Sequence, residues 1–108
     1  MQLHGLHHIT AVTGNVIENA PYAGIRLGFG PYLRNVAASG NVIRDAGIGI
    51  AVSVVRGAGG AAISGNVIQG ARRGAIVGME WHKAVTGDLL KSGAESYPLL
   101  KLTGNQVL

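Results

Sequence analysis

The four-residue word Gly-Asn-Val-Ile occurs at 14–17, 40–43 and 65–68 and returns altered as Gly104-Asn105-Gln106-Val107, which sets the asparagines 26, 25 and 39 residues apart. Self-similarity of this kind marks one small structural unit used repeatedly, and such a unit buries its apolar face only against its own neighbours. Any fold open to this chain must therefore lay equivalent residues of successive copies against one another.

Aligning the copies on their asparagines exposes the columns. A branched aliphatic follows two positions on (Ile17, Ile43, Ile68, Val107), and an alanine five positions on (Ala20, Ala46, Ala71). A glycine (Gly24, Gly49, Gly74) then opens the segments Ile25–Phe29, Ile50–Val54 and Ala75–Met79, in which alternate positions are apolar. Period two is the mark of a strand with one buried face. The spacing stacks Ile25/Ile50/Ala75, Leu27/Val52/Val77 and Phe29/Val54/Met79 inside. It leaves Arg26, Gly28, Gly30, Ala51, Ser53, Val55, Ile76, Gly78 and Glu80 outside. Ahead of each asparagine, Val12, Ala38, Ile63 and Leu102 face inward while Thr13, Ser39, Ser64 and Thr103 face out. Each copy of about 25 residues thus offers three short strands and no helical stretch. The 18 glycines fit this reading, because glycine weakens helix interiors and suits tight turns.

Wound as a coil, each strand pairs with its equivalent one copy on, at about 4.8 Å. The expectation is all-β: a triangular prism of parallel sheets, three to four turns over residues 1–108, wound right-handed as strand twist favours. The asparagines then form an internal ladder. A polar side chain between two inward apolar positions is costly unless paired, and stacked amides can donate in one direction and accept from the other. Asn15, Asn41, Asn66 and Asn105 are assigned to that ladder rather than to a ligand.

The regularity breaks once. Gly24 to Gly40 and Gly49 to Gly65 each span 16 residues, but Gly74 to Gly104 spans 30, so about 14 are inserted within 80–96. Insertions in repeat proteins form loops on one face, often the binding face. Glu80-Trp81-His82-Lys83 at its mouth is the strongest candidate for chemistry. Trp81 can stack on a sugar ring, and Glu80 or His82 can act as acid or base. The competing reading has Trp81 anchoring the insert over unpaired strand edges. Asp88 and Glu95 lie in the same insert, as solvated acids or as a carboxylate pair with Glu80 of the sort glycoside hydrolysis uses.

Other features carry less. His4, His7 and His8 spell H-x-x-H-H, but His4 and His7 face opposite ways on a strand and no carboxylate is near in sequence, so no metal site is assigned. Gly57–Ala62 resembles a dinucleotide loop but is followed by a strand rather than a helix, so no cofactor is expected. Glu18, Arg44 and Gln69 share an exposed column, and Val16, Val42 and Val67 an outward apolar one. The nine Lys+Arg against five Asp+Glu are dispersed, unlike a nucleic-acid footprint, so no nucleic-acid partner is expected. The absence of cysteine excludes disulfides and thiolate metal sites. No signal-peptide pattern opens the chain and no stretch approaches the roughly 20 apolar residues of a membrane span. Repeat-like sequence begins at once, as in a piece of a longer array.

The spacing Gly-Asn-Val-Ile followed by Gly-Ile resembles the right-handed parallel β-helix proteins of the pectate-lyase-like group. Gly74–Trp81 and Thr86-Gly87-Asp88 resemble the C-terminal part of a twin-arginine-translocated bacterial repeat family. The resemblance implies an exported protein, periplasmic or extracellular, of which these would be the last turns, packed on the remainder of the same solenoid. Pectate-lyase relatives use calcium-binding aspartates and a basic residue on one sheet. Here Arg26 occupies that face, but Glu80 is its only carboxylate, too few for a hard-cation site. Two functions stay open. One is a non-catalytic repeat module that binds polysaccharide through Trp81, Glu80, His82, Lys83 and Arg26, or serves as scaffold. The other is part of a polysaccharide-active lyase, hydrolase or epimerase using Glu80 and His82.

Overall fold

The computed structural model describes residues 2–3, 10–33 and 35–108. The chain alternates between two sheets, entering the smaller one just before each Gly-Asn and the larger one just after it. The strands are β1 (Gln2–Leu3), β2 (Thr10–Thr13), β3 (Val16–Leu27), β4 (Val36–Ser39), β5 (Val42–Ser53), β6 (Ala61–Ser64), β7 (Val67–Glu80), β8 (Lys83–Asp88), β9 (Leu100–Thr103) and β10 (Gln106–Val107). The larger sheet runs β1-β3-β5-β7-β10, all parallel, with β8 antiparallel on β7; the smaller runs β2-β4-β6-β9, all parallel. The architecture is therefore all-β with two parallel sheets, and each strand lies beside its equivalent in the next copy.

Register follows the repeat word. Val12, Ala38, Ile63 and Leu102 form one column, and Ile17, Ile43, Ile68 and Val107 another. Val12, Ala38, Ile43, Ile63 and Ile68 are buried in one main core with Ile25, Ile50 and Ile76. Each such isoleucine contributes about 1.5–3 kcal/mol on burial. Glu18 and Arg44 form the exposed cross-strand pair at 3.8 Å, a contact of tenths of a kcal/mol.

Two left-handed residues shape each copy. The glycines of the word have φ of 68, 65, 63 and 65° at Gly14, Gly40, Gly65 and Gly104. A β-carbon there would meet nothing, so conformation alone selects glycine. Four residues after each ladder asparagine stand Asn19, Asp45 and Gly70, with φ of 58, 56 and 70°. These are the residue types that tolerate the left-handed region. They bend the long strands, and the pairing register shifts just beyond, between Ala20 and Ala23 and between Ala46 and Ile48.

That shift corrects the third copy. The spacing predicted Ala75 beneath Ile50, but Ile76 pairs with Ile50, Val77 with Ala51, Gly78 with Val52 and Met79 with Ser53. Copy two has one residue fewer than its neighbours between its alanine and its buried isoleucine. In copy three Gly74, at φ 144°, falls opposite Ile48 instead of Gly49. A slip of one residue exchanges the two faces of a strand. Ile76, expected outside, is in the main core, whereas Val77 and Met79, expected inside, pack on the opposite face in a second cluster with Ile48 and Ala51. Phe29 does not stack on Val54 and Met79 either; it is half-buried, bridges Tyr32, and leaves the interior to Leu33.

The inserted residues fold as β8 and a single 3-10 turn at Ala94–Ser96. No helix among the described residues is long and apolar enough to cross a membrane.

Candidate functional site: an aromatic and cationic cluster

On the outer face of the larger sheet, residues from the first and third copies meet over the small side chain of Ala51. The hairpin β7–β8 turns through Trp81 and His82, with Glu80 and Lys83 as its closing pair. Trp81 takes φ 55°, an unfavourable conformation for a bulky residue, costing of order 1–2 kcal/mol. Two contacts hold it there. The Arg26 guanidinium donates from Nη2 to the Trp81 carbonyl at 2.6 Å, and the indole lies over Gly30, where a β-carbon would collide with its six-membered ring.

The rings gather around that brace. Phe29 meets Trp81 edge to face, with centroids 5.1 Å apart, and His82 at 4.7 Å. The Arg26 guanidinium lies 5.3 Å from the Phe29 centroid and 5.9 Å from that of Tyr22. Arg73 approaches the same Tyr22 ring at 5.5 Å. The Tyr22 hydroxyl donates to the His82 carbonyl at 3.4 Å. Three of the chain's five aromatic residues, two arginines and a histidine thus form one cluster.

Its charge is uncompensated. Arg26 is 9% exposed, and among the described residues its Nε has no hydrogen-bond acceptor and no carboxylate pairs with it. Cation–π attraction to Tyr22 and Phe29 offsets part of the cost of burying it. Replacing Arg26 with methionine removes the bond to the Trp81 carbonyl and the buried charge together, so the stability terms oppose. We expect little change in melting temperature but a red-shifted emission of Trp81, the only tryptophan, as the turn loosens. Unchanged emission would show that Arg26 does not hold the turn.

Of the residues singled out in the sequence, Arg26, Trp81 and His82 come together here. Glu80 and Lys83 flank them as exposed side chains, and Trp81 is 51% exposed. Asp88 is placed elsewhere and is not a solvated acid. Its carboxylate accepts backbone N–H groups from Ala75 at 3.1 Å, Ile76 at 3.3 Å and Leu90 at 3.0 Å. Those bonds occupy both oxygens, so Asp88 supplies no second carboxylate opposite Glu80. Glu95 is exposed on the 3-10 turn. His4, His7 and His8 lie outside the described residues, and no three His, Asp or Glu side chains converge among the described ones.

The asparagines are tied into one line. Nδ2 of Asn15 donates to Oδ1 of Asn41, Asn41 to Asn66 and Asn66 to Asn105, at 3.0, 2.9 and 2.9 Å. Each receiving Oδ1 also takes the backbone N–H of the preceding asparagine.

Tyr22, Phe29 and Arg73 escaped the sequence reading. Phe29 was assigned to the interior, but a signal existed for the others, since Tyr22 and Arg73 each stand seven residues after the asparagine of their copy. Away from the cluster, an apolar cleft of about 190 Å³ opens between Ser53–Gly59 and Ser96–Leu100, with no charged side chain in its lining. Comparison with known proteins produced no match: no family model, curated protein or solved structure is significantly similar to this chain.

Proposed function

We propose that the chain is a non-catalytic module of a right-handed parallel β-helix that binds polysaccharide across the Tyr22–Trp81 face. Support for the coil comes from the alternation between two parallel sheets and from the left-handed residues at Asn19, Asp45 and Gly70, which divide each long strand into two arms. In this reading the two arms and the strand before each Gly-Asn are the three faces of one turn of the coil. Export to the periplasm or beyond, and packing on further turns of the same solenoid, belong to this proposal through the family resemblance.

The observation that carries the binding reading is Trp81, half-exposed on a turn that the rest of the cluster fixes in place. An aromatic ring held rigidly, with cations beside it, presents large contact area at small entropic cost, which suits stacking on sugar rings. Asp88, the acid of the insert that could have served as a second carboxylate, is committed to backbone N–H groups, which favours binding over hydrolysis, as hydrolysis needs two carboxyl groups roughly 5–9 Å apart.

A glycan array probed with the wild-type chain and with Trp81→Ala tests this. We expect retention of a polysaccharide by the wild type and at least about a tenfold loss in the variant, the scale of a single well-placed aromatic contact. Retention unaffected by Trp81→Ala would move the site elsewhere, and no retention at all would leave the scaffold reading. Turnover of a uronic-acid polymer that vanishes in Glu80→Ala would replace the proposal with the enzymatic one.

A further inference from the structure

The apolar cleft between Ser53–Gly59 and Ser96–Leu100 has a cause in the repeat. Counted back eight residues from the ladder asparagine that follows, Leu33, Ala58 and Tyr97 are equivalent. The structure sets the first two side by side, since the Gly59 N–H donates to the Leu33 carbonyl at 2.6 Å. Leu33 is fully buried in the main core. Ala58 brings a much shorter side chain to the same column, and both it and Tyr97 are only partly buried against that core. The shortfall opens onto the cleft of about 190 Å³, which Ala58, Gly59, Tyr97 and Leu100 help to line.

Both walls are fixed by backbone hydrogen bonds. On one side the Val54 N–H donates to the Met79 carbonyl at 2.9 Å and the Ala58 N–H to the Val55 carbonyl at 3.0 Å. On the other the Leu100 N–H donates to the Tyr97 carbonyl at 2.9 Å, and the Ala61 N–H to that of Leu99 at 3.2 Å. A β-carbon on Gly60 would lie 2.6 Å from the Leu99 carbonyl oxygen, so glycine is what lets the two segments approach this closely. A site held open in this way binds without first having to be ordered. Its chemistry excludes most ligands. No charged side chain lines it, so an ionic group buried there would go unpaired. The hydroxyls of Ser53, Ser96 and Tyr97 are the polar side-chain groups of the lining, and that of Ser53 is already bonded to the Gly30 carbonyl. Those are too few for a sugar, whose buried hydroxyls would lose water without gaining partners. Leu99, 61% exposed, extends the apolar surface to the rim. An apolar cavity of roughly 150 Å³ takes up benzene, so a space of this size suits a single substituted ring.

We propose that this cleft is a binding site for a compact, uncharged, apolar molecule the size of one substituted ring, separate from the Tyr22–Trp81 face and independent of what that face binds. Toluene is the probe and benzoate its charged counterpart, each titrated into the isotope-labelled chain and followed by amide chemical shifts. Saturable shifts at Val54, Ala58, Gly59, Leu99 and Leu100 are expected with toluene, and none there with benzoate. Ala58→Leu puts back the side chain that Leu33 supplies one copy earlier. It is expected to weaken toluene at least about tenfold, the scale of a methylene that a fitted apolar pocket cannot take. Should Ala58→Leu not fold, Ala58→Val narrows the same space more gently and is expected to weaken toluene at least about threefold. Shifts that do not saturate, that fall outside the cleft, or that benzoate reproduces overturn the proposal. So does a folded Ala58→Leu or Ala58→Val variant that binds toluene as tightly as the wild type.

Discussion

Replacing Asn66 with alanine is expected to lower the unfolding free energy by about 4 kcal/mol, a large share of what a domain this size commands. The Asn66 side chain is fully buried and has four partners. Its Oδ1 accepts from the backbone N–H and Nδ2 of Asn41 at 3.0 and 2.9 Å, and its Nδ2 donates to the Ala38 carbonyl and to Asn105 Oδ1 at 3.1 and 2.9 Å. Truncation orphans two donors and two acceptors, most of them out of reach of water, and each buried orphan costs about 1–3 kcal/mol. Aspartate is expected to be worse than its shape suggests. It keeps the acceptor for Asn41 but sets a second oxygen against two acceptors and buries a charge. Asn15→Ala, at the half-exposed end of the same line, is expected to cost only about 1 kcal/mol, because water replaces what is lost. Chemical denaturation of the three variants checks the order. Equal losses at Asn15 and Asn66 would show that the line of amides is not what the interior depends on.

Asp88→Ala is expected to cost about 3 kcal/mol, an unusual loss for an acid in an inserted segment. Its carboxylate serves the amides of Ala75, Ile76 and Leu90, and charge-assisted bonds of this kind are roughly twice as strong as neutral ones. The backbone N–H of Leu89 donates to the Ile76 carbonyl at 2.7 Å, so this aspartate and its neighbour stand in for the strand that is missing beside β7. Hydrogen exchange should locate the damage, with faster exchange at Ala75, Ile76 and Leu90 and little change at β4 or β6. Glu95→Ala, exposed on the 3-10 turn, is the control and should fall within about 0.5 kcal/mol of wild type. A loss of that small size at Asp88 would mean that water serves those amides as well as the carboxylate does.

Much of this was legible in the residues, because a repeat converts spacing into contact. The columns through Val12, Ile17 and the asparagines required only that like lie on like, and in the first two copies the second arm of each long strand could be read in the same way. The third copy could not, because Gly49 and Gly74 look equivalent in spacing but differ by a bulge. The better clue was the run Asn19, Asp45, Gly70, three residue types that share tolerance of positive φ and so announce a bend. At the cluster, Glu80-Trp81-His82-Lys83 stood out by composition. Its partners Tyr22, Arg26 and Phe29 lie more than fifty residues earlier, and long side chains reaching past the small Ala51 of the intervening strand join them.

The distance along the chain between paired strands also governs how the molecule can assemble. Ladder partners are separated by 25, 26 or 39 residues, so almost every sheet contact closes a long loop before it yields any stabilisation. Among the named strand pairs only β7 and β8 join locally, through a two-residue turn. Hairpins of this kind form within microseconds, far ahead of pairings that must bring remote segments together. Among the described strands, the segment that interrupts the repeat is thus the one that can pair first, and it offers β7 as a template on which β5, and then β3, can be laid down in turn.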